Sequence, residues 1–302
     1  MKRNFVILIF SLVAVLGTQA QLLYKVSGNG LQKPSYLIGT HHLAKSSHIH
    51  QISGLKEALE ACEQIYGEIV MEEMTNPENL QMVQEAMMMP QGKTLRSLLS
   101  PLELVQLNAF LKNLMGVDFT HPAVAQQFDA LTPQALVTQF QVLIFMKNHP
   151  EDFVPNNQYD TYFQTYAKQN GKPVGGLETL EEQINILYKG YSLERQKELL
   201  VCLVQHADFM DNILIELTRA FYSQDIGKMQ AIFEEKIGNS CDSTPAEDAL
   251  LIYNRNANWM KKVPHVMAEK STLFAVGTAH LWGEKGMLQL LRNAGYQVEA
   301  VK

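Results

Sequence analysis

The stretch "SYLIGTHHLAKS" (residues 35–46) is an apolar run that stops at Gly39 and then sets His41 and His42 side by side. "TLFAVGTAHLWG" (residues 272–283) repeats the arrangement: Gly-Thr ends a β-prone segment, and a histidine, His280, stands three residues after Gly277. Two carboxylates have similar settings. Glu68 interrupts the apolar run "QIYGEIVME", and Glu178 closes "KPVGGLE". Two histidines and two carboxylates brought to the ends of neighbouring strands are the ingredients of a divalent-metal site, or of a general acid and base acting on water.

Each residue also has a plainer reading. A lone histidine after a strand is usually a hydrogen-bonded turn residue, but the recurring Gly-Thr-x-His, with a glycine that lets the backbone turn sharply, lifts His42 and His280 above that. His41 reads as the structural neighbour of His42. Glu68, among Ile65, Tyr66, Ile69, Val70 and Met71, is costly to bury without a partner, whereas on an edge strand it would face water. Glu178 can equally cap the helix that follows it. Arg255, close to Asn256 and Trp259, is either an exposed cation with a carboxylate partner or a cation that steadies an anionic substrate or intermediate. The run Met82, Met87, Met88 and Met89 suits adaptable packing better than metal ligation.

These residues need a scaffold. Segments 36–38, 65–70, 173–177, 273–276 and 297–301 are short and rich in β-branched and apolar residues, which predicts five strands. "SGLKEALEACEQ" between the first two reads as a helix capped by Ser53, giving the strand-helix-strand unit of a parallel sheet. The middle of the chain is helical: residues 101–115 behind the capping box at Ser100, a helix after Thr132-Pro133, one capped by Asp160, and further helices over 180–189, 192–220, 226–237 and 245–262. The fold class is therefore α/β, a central, mainly parallel sheet with flanking helices. Residues 21–302 read as a single domain carrying a helical insertion over about 76–170 and 180–262.

Residues 1–20, with Lys2 and Arg3 ahead of an apolar run, read as a signal peptide, so the expectation is an exported, periplasmic or secreted protein with no membrane span in its mature part. Without Lys2 and Arg3 the 25 basic residues fall to 23 against 31 acidic ones, a net charge of −8. That balance argues against nucleic acid as a partner. Cys62, Cys202 and Cys241 lack CxxC spacing, which leaves room for one disulfide and one thiol. GxSxG, HExxH, GxxxxGK and GxGxxG motifs are all absent from these contexts.

At these residues the sequence resembles the TraB/PrgY/GumN superfamily, which includes the Tiki metalloproteases. "LLYKVSGNGLQKPSYLIGTHH" is similar to the family's opening, with its first GxxH at Gly39 and His42. "YGEIVMEE" carries the strand glutamate, Glu68, while Val70 stands where a second acidic residue is often found. "YDTYFQTYAKQNGKPVGGLETLEEQ" matches the central block at Asp160, Tyr162, Glu178 and Gln183; "RNANWM" matches at Arg255 and Asn256, and "FAVGTAHLWG" carries the second GxxH at His280.

The resemblance implies a fold related to Tiki, erythromycin-esterase-like and ChaN-like proteins. It also implies a metal-dependent peptidase acting on peptide or protein substrates. On that reading His42, His280 and Glu68 hold the metal, with manganese or cobalt suggested and zinc compatible with such ligands. Glu68, Glu178 and Arg255 then form the catalytic set. Two rivals remain: a protein of the same fold that binds a peptide or haem-like ligand without cleaving it, and a metal-independent, esterase-like hydrolase. The sequence leaves the oligomeric state open.

Overall fold

The computed structural model describes residues 21–151, 154 and 158–302. The expected signal peptide, residues 1–20, lies outside them. Among the described residues six strands form one sheet in the order β4-β3-β5-β2-β1-β6. The strands β2 (Ser35–Thr40), β3 (Gln64–Gly67), β4 (Val174–Gly176) and β5 (Thr272–Gly277) run parallel. At the other side β1 (Leu23–Ser27) runs antiparallel to both β2 and β6 (Gln297–Ala300). This is the mainly parallel α/β architecture expected.

The strand β1 was not among the five segments expected from sequence. Its signal lies in "LYKVS" followed by Gly28-Asn29-Gly30, all three with positive φ, a turn that folds β1 back onto β2. The strand β3 is shorter than expected, because the chain leaves the sheet at Gly67. There Gln164 donates to Ile69 O and accepts from Met71 N, and a Cβ on Gly67 would lie 2.5 Å from Gln164 Nε2. Glu68 thus sits in the loop just past a strand flanked by β4 and β5, not on an exposed edge.

Alternating residues of the strands bury opposite faces. Ile38, Ile65, Leu273 and Ala275 pack against Leu55, Phe163 and Phe221 from helices Leu55–Ala61, Tyr159–Gln169 and Ala207–Tyr222. On the other face Leu37, Phe274 and Val276 meet Trp259, Val263 and Leu291. Each such large apolar side chain stabilises the fold by roughly 1.5–3 kcal/mol. A separate core, built mainly from helices, forms around Leu111, Phe140 and Leu200.

Three helix expectations change. Ser53 does not cap Leu55–Ala61; Gly54, at φ 69, is the cap residue, and its missing Cβ leaves space for Val301 Cγ1, which would lie 2.4 Å away. The stretch 192–220 is broken at His206 into Leu193–Gln205 and Ala207–Tyr222. The first piece stays with the helical core through Leu200 and Leu203, and the second turns Phe221 onto the sheet. The stretch 245–262 is interrupted by a π-turn, Ala249–Tyr253, and its last helical piece is Asn254–Trp259. Cys202 and Cys241 form a disulfide, leaving Cys62 as a buried thiol. Among the described residues no helix is long and apolar enough to cross a membrane.

Candidate active site

Parallel strands end at a common edge, and here that edge collects the residues singled out above. His41 and His42 follow β2, Glu68 follows β3, Glu178 lies two residues after β4, and His280 closes the short turn Thr278–His280 after β5. Arg255 enters from above on Asn254–Trp259, immediately after the π-turn, a local widening often found at functional sites.

Arg255 is the hub. Its Nη2 donates to Glu68 Oε2 and, at 2.6 Å, to Glu178 Oε1, while its Nε donates to Glu178 Oε2 at 3.0 Å. Its Nη1 reaches Leu251 O at 3.1 Å and His280 Nε2 at 3.0 Å. Arg255 and Glu178 are buried, at 7% and 6% side-chain exposure, and Glu68 is nearly so, at 11%. Such a cluster is tolerable only because nearly every donor and acceptor has a partner. Gly277 N donates to Glu68 Oε1, Trp259 Nε1 to Glu178 Oε2, and Gln183 Nε2 to both carboxylates. Burial pushes the Glu68 carboxyl up, but the neighbouring His280, Arg255 and His42 and the Gly277 N–H outweigh it and hold it down at about 2. Arg255 is therefore neither exposed nor free for an anion, as the sequence allowed; two carboxylates already hold it.

The hydrogen bonds around His280 assign its tautomer. Asn256 Nδ2 donates to His280 O and Lys285 O, so its Oδ1 faces His280 Nδ1 at 2.7 Å and requires a proton there. Nε2 then carries the lone pair, accepts from Arg255 and stands 3.8 Å from Glu68 Oε1. Burial lowers this imidazole's pKa to about 3, so it is neutral. His42 is the opposite case. Its Nδ1 is 2.8 Å from Asp160 Oδ2, whose second oxygen accepts from Thr40 Oγ1, while the ring is 73% exposed. The charge of Asp160 first, and its hydrogen bond second, raise the imidazole's pKa to about 9.

Asp160 was expected to cap its helix. Instead Gln158 is the cap residue, without a side-chain cap bond, and Asp160 sits in the first turn aimed at His42. Helix capping and helix-face placement differ by two residues, which sequence alone does not resolve. Glu178 is not the cap of the following helix either, since Thr179 and Glu182 form that capping box. His41 is a structural neighbour, bonded to Thr218. Gln183, noted only as a matching position, bridges Glu68 and Glu178. The cap assignment is testable: Thr179→Ala should cost about 1 kcal/mol in urea unfolding with activity kept, whereas Glu178→Gln should leave the helix capped yet lower activity by disturbing Arg255.

The fit of a divalent ion to His42, His280 and Glu68 is mixed. Both histidines tie Nδ1 to an acceptor and offer Nε2, as metal-ligating histidines do. Yet the lone pairs of His280 and Glu68 are already taken by the Arg255 guanidinium. Among the described residues no three His, Cys, Asp or Glu side chains are grouped as an ion requires. In this arrangement the three do not form an ion site; ligation would need Arg255 to withdraw. His42, Glu68, Asp160 and Gln183 do line one cavity of about 190 Å³.

A mostly parallel α/β protein with a histidine, carboxylate and arginine cluster at the carboxyl edge of its sheet is the class that fold and site define. The chain belongs to the TraB/PrgY/gumN family, whose sequence profile matches residues 22–300. It is 22% identical over 314 residues to metalloprotease TIKI2 of Danio rerio and 23% identical over 312 residues to metalloprotease TIKI2 of Xenopus tropicalis. Each alignment covers 88% of this chain, but the chain spans only 58% and 57% of those relatives' length. No solved structure matches it.

Proposed function

We propose that the protein is a hydrolase that cleaves peptide bonds in a peptide or protein by activating water at the mouth of this cavity. The observation that carries it is the pairing of an exposed, Asp160-oriented His42 with the ion-paired Glu68–Arg255–Glu178–His280 cluster, which reaches the same cavity through Glu68. Asp160 fixes the tautomer and leaves His42 Nε2 toward solvent, the half of a catalytic triad that moves a proton. His42 Nε2 takes the proton from water as it attacks the carbonyl and delivers it to the leaving amine. Arg255, held by Glu68 and Glu178, keeps the Glu68 carboxylate fixed at the cavity wall, so that the wall needs no reorganisation during the step. The apolar leader-like residues 1–20 support export as part of this proposal.

A second reading is favoured by the relatives, whose name is metalloprotease, and by the Nδ1 ties of both histidines. There His42, His280 and Glu68 would hold a divalent ion, which would supply Lewis-acid activation of water. Peptide hydrolysis after chelation and dialysis separates the two. The first reading expects full activity without metal and no gain from manganese, cobalt or zinc. Loss on chelation with recovery on manganese would replace it with the second, and no hydrolysis under any condition would favour a binding protein.

A further inference from the structure

The cavity lining is of two kinds. His42, Glu68, Asp160, Gln164 and Gln183 bring polar side chains to it, and Ile65, Ile69, Met71, Met74, Phe163 and Ala275 apolar ones, with Met74 at the exposed rim. Ile65, Phe163 and Ala275 belong to the core packed on the sheet, at 0%, 0% and 3% exposure, so the apolar end they form is a closed floor. Its volume, about 190 Å³, is below the roughly 300–1,000 Å³ of sites that enclose a whole small molecule. A space of that size accepts one side chain of a longer ligand.

We infer that this apolar end is the specificity pocket of the proposed hydrolase, taking an unbranched or γ-branched apolar side chain, leucine or methionine, of the residue flanking the scissile bond. The inference rests on the hydrolase reading and adds the substrate class to it. No charged group lines the floor, so a charged substrate side chain would be desolvated there without a partner. Two of the walls are methionines on the turn Met71–Thr75, and their flexible thioethers adapt to either leucine or methionine. The turn itself is fixed: Gln164 holds Ile69 O and Met71 N, at 2.8 and 2.9 Å. With a side chain in the floor, its own backbone carbonyl comes to the mouth, where His42 and Glu68 stand. Alanine leaves the space unfilled.

The test is cleavage of a peptide library with the cut sites read by mass spectrometry, followed by kcat/KM for a series varying only the flanking residue. Leucine and methionine peptides should exceed the alanine peptide about tenfold and the aspartate and lysine peptides about a hundredfold, the range that pocket methylenes and desolvated charge command. Met74→Glu changes an exposed residue at 36% exposure, so folding is not at stake. It should lower kcat/KM for leucine peptides about tenfold, chiefly through KM. Ala275→Leu, which fills the floor, should invert the preference toward alanine. Cleavage without preference among these residues, or an unchanged preference in the Met74 variant, overturns the inference while the hydrolase reading stands. Absence of cleavage for every peptide overturns the hydrolase reading, and the inference with it.

Discussion

Arg255→Met should destabilise the protein by about 3–5 kcal/mol in urea unfolding at pH 7, the largest single-residue effect expected here outside the apolar core. The substitution keeps most of the stem's bulk and removes only the guanidinium, leaving Glu68 and Glu178 facing each other with no cation between them. Replacement by lysine should recover little, because one ammonium cannot reproduce donors to two carboxylates, a carbonyl and an imidazole at once. The pH dependence identifies the cause. In the native protein Glu68 has its pKa depressed from 4.5 to about 2, so its contribution is fully present above pH 4.5 and is lost as pH falls through about 2. Without Arg255 that carboxyl loses its standing cation, its pKa climbs, and protonation relieves the penalty. The gap between native protein and variant should therefore be widest above about pH 5 and narrow steadily toward pH 2. A gap that stays constant over that range would mean that Arg255 acts through packing alone.

How much of this was legible in the sequence depends on how local the signal was. The parallel sheet, and the arrival of His42, Glu68, Glu178 and His280 at one edge, followed from apolar runs that each end beside a polar residue. Helix limits with side-chain caps, such as Pro101–Met115 behind Ser100 and Pro133–Asn148 behind Thr132, were legible because capping is written in a few consecutive residues. Roles set by distant partners were not. Whether Asp160 caps its helix or orients His42 depends on where β2 ends, 120 residues away. Whether Arg255 is exposed or buried depends on two strand ends that the sequence places far from it, with Glu68 187 residues earlier. The break at His206 and the π-turn at Ala249–Tyr253 answer to tertiary packing that no window of local propensity contains.

Asp160→Asn should leave the fold largely intact and lower kcat/KM about a hundredfold, while moving the pH profile. The pair is His42 Nδ1 with Asp160 Oδ2, and an asparagine there either keeps an oxygen on Nδ1 without the charge or presents an amide that forces the other tautomer. The sign of the pH effect follows from the raised pKa. His42 must be neutral to accept a proton from water, so activity of the native protein should rise with pH through an alkaline midpoint, its imidazole pKa being lifted from 6.5 to about 9. Removing the Asp160 charge removes the main cause of that lift, so the midpoint should fall by more than one pH unit toward about 6.5 even as the plateau drops. For the same reason, any stability the native pair confers is fully present below pH 6.5 and lost as pH rises through about 9. His42→Ala should remove the limb altogether, with a loss of about 10²- to 10⁴-fold. Equal midpoints in native protein and Asp160→Asn would show that His42 is not the titrating base. A midpoint that instead shifts to lower pH as manganese is added would mark ligand deprotonation, and with it the metal-holding reading of the two histidines.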